Sequence, residues 1–194
     1  MSGFLSKRTE INKKRILDGT VEVFRKKGSG FTMNDISEEL HMSKKTIYTI
    51  FRDKESLLYT MVDYFFDTVK KDEKGIWEND QIGTDEKLIM LLAALPETSR
   101  DIDFTSLYEV KDKYPRVEKR IQERLESDWD KTLDLVKKGI SEGVFRECNL
   151  TVFQLAFEAS IERFIKGDEL KENNVKYIDA LIDLATMMVR GIMK

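Results

Sequence analysis

Two short amphipathic segments joined by a tight turn constrain this chain more than any other feature of its sequence. They lie within residues 31–58, FTMNDISEELHMSKKTIYTIFRDKESLL. Apolar residues of the first segment recur at helical spacing: Met33, Ile36 and Leu40. His41 falls where the turn needs a positive φ, and Ser43 is a good N-cap for the second segment. This pattern predicts a helix-turn-helix, whose second helix lies in the DNA major groove.

The outward face of the second segment supplies the candidate DNA contacts. Because Ile47 and either Ile50 or Phe51 should face inward, the intervening polar residues are left facing out. The candidate DNA-binding residues are Thr32, Ser43, Lys44, Lys45, Thr46, Tyr48, Thr49 and Lys54. We expect Lys44, Lys45, Thr46 and Thr49 to face base edges or nearby phosphates, and Thr32, Tyr48 and Lys54 to contact the DNA backbone.

The charge distribution agrees with this prediction. The whole chain carries a net charge of −3. Residues 1–60 hold 12 lysines and arginines against 8 aspartates and glutamates, which gives +4, whereas residues 61–194 hold 21 against 28, which gives −7. Positive charge is therefore concentrated where DNA is expected to bind.

The first sixty residues resemble the TetR family of bacterial one-component regulators. The matching positions are Ile16, Leu17, Phe24, Gly28, Phe31, Thr32, Ile36, Leu40, Ser43, Thr46, Ile47, Tyr48, Phe51, Lys54, Glu55 and Leu57. Three residues depart from the pattern: Thr20 and His41, where the family usually has Ala and Gly, and Lys45, where Gly is frequent. The resemblance implies a regulator of transcription that binds a palindromic operator, responds to a small effector and dimerises through its last two long helices.

Helical periodicity predicts an all-α fold of about nine helices, with a three-helix DNA-binding domain (residues 1–52) followed by a larger ligand-binding and dimerisation domain (residues 53–194). The predicted helices beyond the motif are 7–27, 53–74, 85–95, 102–113, 115–142, 150–166 and a last helix capped by Asn173 or Asn174. The helix at 53–74 should connect the two domains.

The last two helices carry more apolar residues than one buried face needs, which suggests a four-helix interface in a homodimer. The candidate interface residues are Phe157, Ile161, Phe164, Leu181, Ala185, Met188 and Ile192. The alternative is that both helices fill the core of a monomer.

Aromatic residues of the second domain are candidates for an apolar effector pocket. The candidate pocket residues are Phe65, Trp77, Phe104, Tyr108, Trp129, Glu158 and Glu162, of which the two glutamates lie one helical turn apart. For the aromatic residues the alternative is ordinary core packing, and for the glutamates it is a solvated helix face.

No motif for catalysis, metal binding or a cofactor is present: the sequence lacks a Gly-rich phosphate loop, an H-E-x-x-H motif and a Cys/His cluster. We therefore predict a non-enzymatic protein without metal or cofactor. Cys148 is the only cysteine, and no apolar run reaches the length of a membrane span, so a cytoplasmic location is expected. The alternatives to an effector-responsive regulator are a DNA-binding regulator without an effector and a helical protein-interaction module.

Overall fold

The computed structural model describes residues 2–100, 102, 109–110, 113–127 and 129–194. Within this part of the chain the fold is all-α, as predicted, with no strand and one isolated bridge between Phe145 and Met193. The labelled helices are α1 (Ser2–Lys27), α2 (Met33–Glu39), α3 (Lys44–Ile50), α4 (Lys54–Trp77), α5 (Thr84–Leu92), α6 (Pro115–Leu125), α7 (Trp129–Ser141), α8 (Leu150–Lys166) and α9 (Tyr177–Ile192). A four-residue helix, Glu169–Glu172, precedes α9.

The N-terminal helices pack around one apolar core. Ile16, Ile36, Ile47 and Leu57 come from α1, α2, α3 and α4, and each is fully buried. This core continues past the DNA-binding helices, because Ile102, Val110 and Val117 belong to the same cluster. The apolar core is therefore continuous across the domain boundary that was predicted at residue 52.

A second core joins α5, α7, α8 and α9 at the other end of the molecule. Its buried members include Leu88, Val136, Phe145, Phe153 and Val189. Backbone bonds close this region near the C-terminus: the N–H of Arg146 donates to the Ile192 carbonyl at 2.8 Å.

The predicted single helix at 115–142 is broken into α6 and α7. Leu125 ends α6, and Trp129 begins α7. At the break the Ser127 hydroxyl donates to the Arg124 carbonyl at 2.9 Å. A serine side chain that satisfies a backbone carbonyl in this way competes with continuation of the helix.

The predicted cap of the last helix is wrong. α9 begins at Tyr177 after Lys176, which makes no side-chain cap bond. Asn174 adopts φ 55°, which places it in the left-handed region just after the four-residue helix. Asparagine tolerates this conformation well, so Asn174 follows a helix end and does not start α9. The predicted helix at 102–113 falls mostly outside the described residues.

Candidate nucleic-acid interface and effector cavity

The turn between α2 and α3 is held by local hydrogen bonds. His41 adopts φ 48°, which confirms the expected positive φ at this position. The Ser37 hydroxyl donates to the Met42 carbonyl at 2.6 Å, and the Met42 N–H donates back to the Ser37 carbonyl at 3.0 Å. Ser43 then accepts the Thr46 N–H at 3.2 Å as the N-cap of α3. These contacts fix the orientation of α3 against α2.

The turn is also packed against α1. The Arg15 guanidinium donates to the Leu40 carbonyl at 2.9 Å, which satisfies the C-terminal end of α2. Thr20 is fully buried, and its hydroxyl donates to the Ile16 carbonyl at 2.7 Å. The family usually has alanine at this position. The hydroxyl that Thr20 adds therefore has its hydrogen-bond partner within α1.

The exposed face of α3 presents most of the candidate DNA contacts. Lys44, Lys45 and Thr49 are exposed, and Tyr48 keeps 48% of its surface accessible. On the opposite face Ile47 is fully buried. One face of this short helix is therefore basic and rich in hydroxyl groups, and the opposite face is packed into the core. Such an arrangement suits a helix that enters the major groove. The individual DNA contacts stay predictions.

Hydroxyl groups at the two helix starts are already organised. The Ser43 and Thr46 hydroxyls lie 2.9 Å apart, and Thr32 forms a reciprocal capping box with Asp35 at the start of α2. The ammonium of Lys27 and the N–H of Thr32 both bond to Asp35, and they hold the pKa of that carboxyl down at about 2. The Thr32 side chain remains exposed, so it stays available to a phosphate.

Lys54 has an internal role that the sequence did not reveal. Its ammonium donates to the Ser29 carbonyl at 2.7 Å and to the Phe31 carbonyl, and it lies 4.1 Å from the centroid of the Phe31 ring. Burial, and then the nearby charge of Lys113, lowers the pKa of Lys54. The lysine thus anchors the start of α4 to the segment between α1 and α2. A phosphate contact by the same ammonium stays a prediction.

Behind the DNA-binding helices lies an apolar cavity of about 200 Å³, here called the inner cavity. Its apolar lining comes from several helices: Val21 and Phe24 from α1, Met61, Val62, Phe65, Phe66 and Val69 from α4, Leu91 and Leu92 from α5, Ile121 and Leu125 from α6, Trp129 from α7, Phe157, Ile161 and Ile165 from α8, and Leu181 from α9. Residues of α1 and α4 therefore belong both to the DNA-binding end and to the cavity wall.

A second cavity of about 290 Å³, here called the outer cavity, lies between α6 and α8. The two cavities share six lining residues: Ile121, Leu125, Trp129, Phe157, Ile161 and Ile165. The outer cavity adds the carboxylates of Glu118, Glu126, Glu158 and Glu162. It adjoins the inner cavity through this shared apolar wall.

The predicted pocket residues fall in different places. Phe65 and Trp129 line the inner cavity, whereas Glu158 and Glu162 line the outer one. Trp77 packs against the second core and lines neither cavity. The remaining two, Phe104 and Tyr108, lie outside the described residues.

Sequence reasoning missed a set of arginines on α6 that face α4. Arg120 donates to Asp63 at 2.7 Å and lies over the Tyr59 ring, with 5.6 Å between guanidinium and ring centroid. One helical turn later, Arg124 donates to Asp67 at 2.9 Å. The sequence shows that the two arginines are four residues apart and that the two aspartates are four residues apart. No sequence pattern indicates that the helices carrying them are neighbours.

Most of the candidate dimer residues are covered by other parts of the same protomer. Ile161, Leu181, Ala185 and Ile192 are all buried, and Phe157 and Met188 are half-buried. Phe164 is also half-buried and packs edge-on against Tyr177, with 6.5 Å between ring centroids. These positions are the inward faces of α8 and α9.

The outward faces of the same two helices carry other apolar side chains. Val152 and Leu155 on α8 are 61% and 57% exposed, and Ile182 and Met187 on α9 are 43% and 66% exposed. Because these residues have no cover in the protomer, they are better interface candidates than the buried set.

Two further structural findings bear on the sequence predictions. Among the described residues, none of the helices combines the length and the apolar character that crossing a bilayer requires. In the same part of the chain, no three or more His, Cys, Asp or Glu residues are grouped as metal ligands.

The helix-turn-helix with its exposed basic helix defines the class: this is a helix-turn-helix DNA-binding protein. Residues 16–60 match the family model described as bacterial regulatory proteins, tetR family. An uncharacterized HTH-type transcriptional regulator, YvaF of Bacillus subtilis strain 168, is 28% identical over 179 residues, which cover 92% of this chain and 94% of that protein. The resemblance is confirmed for the DNA-binding helices, which match the TetR family, and nearly the whole chain is similar to an HTH-type transcriptional regulator.

Solved structures share the whole fold. A TetR transcription regulator from Haloarcula marismortui aligns with a TM-score of 0.73 at 16% identity, over 95% of this chain and all of that chain. The regulator FadR from Bacillus subtilis, solved in complex with stearoyl-CoA, aligns with a TM-score of 0.61 at 19% identity, over 92% of this chain and 98% of that chain. The architecture of DNA-binding helices followed by a larger helical domain is thus shared with regulators of this family.

Proposed function

We propose that this protein is a homodimeric, cytoplasmic repressor that a small lipophilic effector releases from a palindromic operator. The observation that carries the proposal is the inner cavity, because α1 and α4 line it directly. A ligand that changes the packing of these helices would also change the base on which α3 is held. FadR, a structural neighbour, was solved with the lipophilic ligand stearoyl-CoA, which is consistent with an effector of this kind.

Two sets of contacts support coupling between the cavity and DNA. The Arg120–Asp63 pair clamps α6 to the N-terminal half of α4, and the Ser29 hydroxyl donates to Glu109. In addition, Ile102 belongs both to the inner cavity lining and to the first core. A shift of α6 relative to α4 would therefore reach the DNA-binding helices through the Arg120–Asp63 pair and through packing.

In the proposed mechanism the effector favours an arrangement in which the two recognition helices no longer match their half-sites. Half-sites one helical turn apart require a separation of about 34–36 Å. A coupling free energy of about 1–3 kcal/mol would weaken operator binding roughly 5- to 150-fold. Loss of the clamp in Arg120→Gln should reduce this factor and leave effector affinity nearly unchanged.

The dimer in this proposal is formed by the outward faces of α8 and α9. Two helices that pack beside each other carry exposed apolar surface at Val152, Ile182 and Met187, and at Leu155, which also lines the outer cavity. A two-fold axis through this surface would bury it in a four-helix arrangement.

The test begins with selection of an operator from random DNA by the purified protein. Operator binding is then measured by fluorescence anisotropy with a set of lipophilic compounds. Ala94→Phe, which places a ring in the inner cavity, should keep operator affinity but lose release, while Ala94→Ser should behave like the parent protein. A parent protein that binds its operator equally with and without every compound would support a regulator without an effector.

A further inference from the structure

The charged residues that line the outer cavity are mostly acidic. Its charged lining residues are four glutamates and one lysine: Glu118, Glu126, Glu158, Glu162 and Lys166. Lys166 is paired with Glu162 in the same helix. Carboxylates thus come from both α6 and α8, the two helices that form the walls of this cavity.

In the described part of the chain, the hydrogen bonds to two of these carboxylates come from neutral side-chain amides. The Gln122 amide donates to Glu126 at 2.9 Å, and the Gln154 amide donates to Glu158 at 2.9 Å. A neutral donor orients a carboxylate without cancelling its charge, so both groups keep their attraction for a cation.

Aromatic rings form the wall between the two cavities. Trp129 and Phe157 line both, and their rings meet edge to face with 5.6 Å between centroids. Tryptophan and phenylalanine faces attract organic cations, particularly quaternary ammonium groups, which are poorly hydrated. A ring pair beside carboxylates is a suitable environment for such a group.

The two cationic side chains that line the inner cavity already have carboxylate partners. Its cationic side chains, Lys70 and Arg124, already lie beside carboxylates: Lys70 is 3.0 Å from Glu73, and Arg124 is 2.9 Å from Asp67. An anionic headgroup would have to compete with these carboxylates.

We infer that the effector is a lipophilic organic cation whose ammonium group lies in the outer cavity and whose apolar tail enters the inner cavity. This inference rests on the proposed function, because it names the ligand class of the same cavity. Charge complementarity places the head between α6 and α8, and the shared apolar wall gives the tail its path inward.

The test compares four probes with the same twelve-carbon chain, all below their micelle concentrations: dodecyltrimethylammonium, dodecanol, dodecanoate and dodecanoyl-CoA. Calorimetry measures binding to the full-length protein, and anisotropy measures release of the selected operator. We expect dodecyltrimethylammonium to bind most tightly. The variant Glu126→Gln/Glu158→Gln should lower its affinity about tenfold and leave dodecanol unchanged.

The matched control is Glu147→Gln/Glu172→Gln, which changes the net charge by the same amount at two exposed sites that line neither cavity. It should leave all four affinities unchanged. Trp129→Leu should weaken dodecyltrimethylammonium more than dodecanol, because only the ammonium loses a cation–π partner.

The outcomes separate this inference from the proposed function. Preference for dodecanoate or dodecanoyl-CoA, with release of the operator, would overturn the cationic effector and leave the proposed function standing. An equal loss of affinity in both double variants would overturn the placement of the ammonium group. No binding and no release with any of the four probes would count against the proposed function as well.

Discussion

Replacement of Lys54 by methionine tests how α4 is attached to the DNA-binding helices. Methionine keeps most of the apolar stem but removes the ammonium that donates to Ser29 and Phe31. Both residues are buried, so their carbonyls lose a charged donor, at a cost of about 1.5–3 kcal/mol. The substitution also relieves the burial of a charge, which the lowered pKa of Lys54 records. Because Lys54 is only half-buried, we expect a net loss of about 1–2 kcal/mol in the free energy of unfolding.

Lys45→Met is the matched control on the exposed face of α3. Lys45 is exposed, and no hydrogen bond of its ammonium is resolved in this part of the structure, so its replacement should change the free energy of unfolding by less than about 0.5 kcal/mol. Urea denaturation of both variants measures this difference. Unfolding of Lys54→Met at the parent midpoint would refute the anchoring role.

DNA binding of the same two variants tests the predicted phosphate contacts. If each lysine neutralises one phosphate, each variant should reduce the slope of log K against log salt by about 0.9. The slope is measured on operator DNA between low and moderate salt. An unchanged slope for Lys54→Met, together with its stability loss, would leave Lys54 with the internal role alone.

Three further predictions follow from local geometry and charge. Gly139→Ala should destabilise the protein by about 1–2 kcal/mol in urea denaturation, because the new Cβ would overlap the buried Phe145 ring, whereas Gly75→Ala, in open space, should stabilise it by about 0.5–1 kcal/mol. Met187→Asp should shift the protein toward monomer in light scattering, and an unchanged dimer would exclude this face from the interface. Asp35→Asn should lower stability at neutral pH, because the lowered pKa of Asp35 stabilises the folded state above about pH 4; the difference from the parent should close as pH falls toward 2, and a pH-independent difference would contradict it.

The local elements were predictable because their signals lie within a few residues of each other. α8 runs from Leu150 to Lys166, as predicted, since Asn149 caps its start with a bond to the Val152 N–H and Gly167 follows its end. The same holds for the turn at His41. In each case the capping or turn residue acts on backbone groups no more than four residues away.

The faces of the helices were harder to assign than their ends. Periodicity identified the apolar stripes of α8 and α9, but it could not say whether another helix of the protomer covers them. Leu181 and Ala185 are covered within the protomer, whereas Ile182 and Met187 are not. That distinction depends on how α5 and α8 pack against α9, which involves residues far apart in sequence.

The candidate pocket residues lie in different environments for a related reason. Trp77 stands at the end of α4 and turns to the second core, while Phe65, three turns earlier, faces the inner cavity. An aromatic composition cannot separate these two environments, because both bury apolar surface equally well.

The position of α4 explains how one helix can serve both halves of the molecule. Its first turn is fixed to the DNA-binding helices by Lys54 and by the capping box of Asp53 with Ser56. About two and three turns later it forms the wall of the inner cavity with Met61 and Phe65. A helix is stiff over this length, so a displacement at the cavity moves its first turn as well. In this arrangement, the same rigid helix that lines the inner cavity also sets the position of α3, so the proposed signal needs no separate segment.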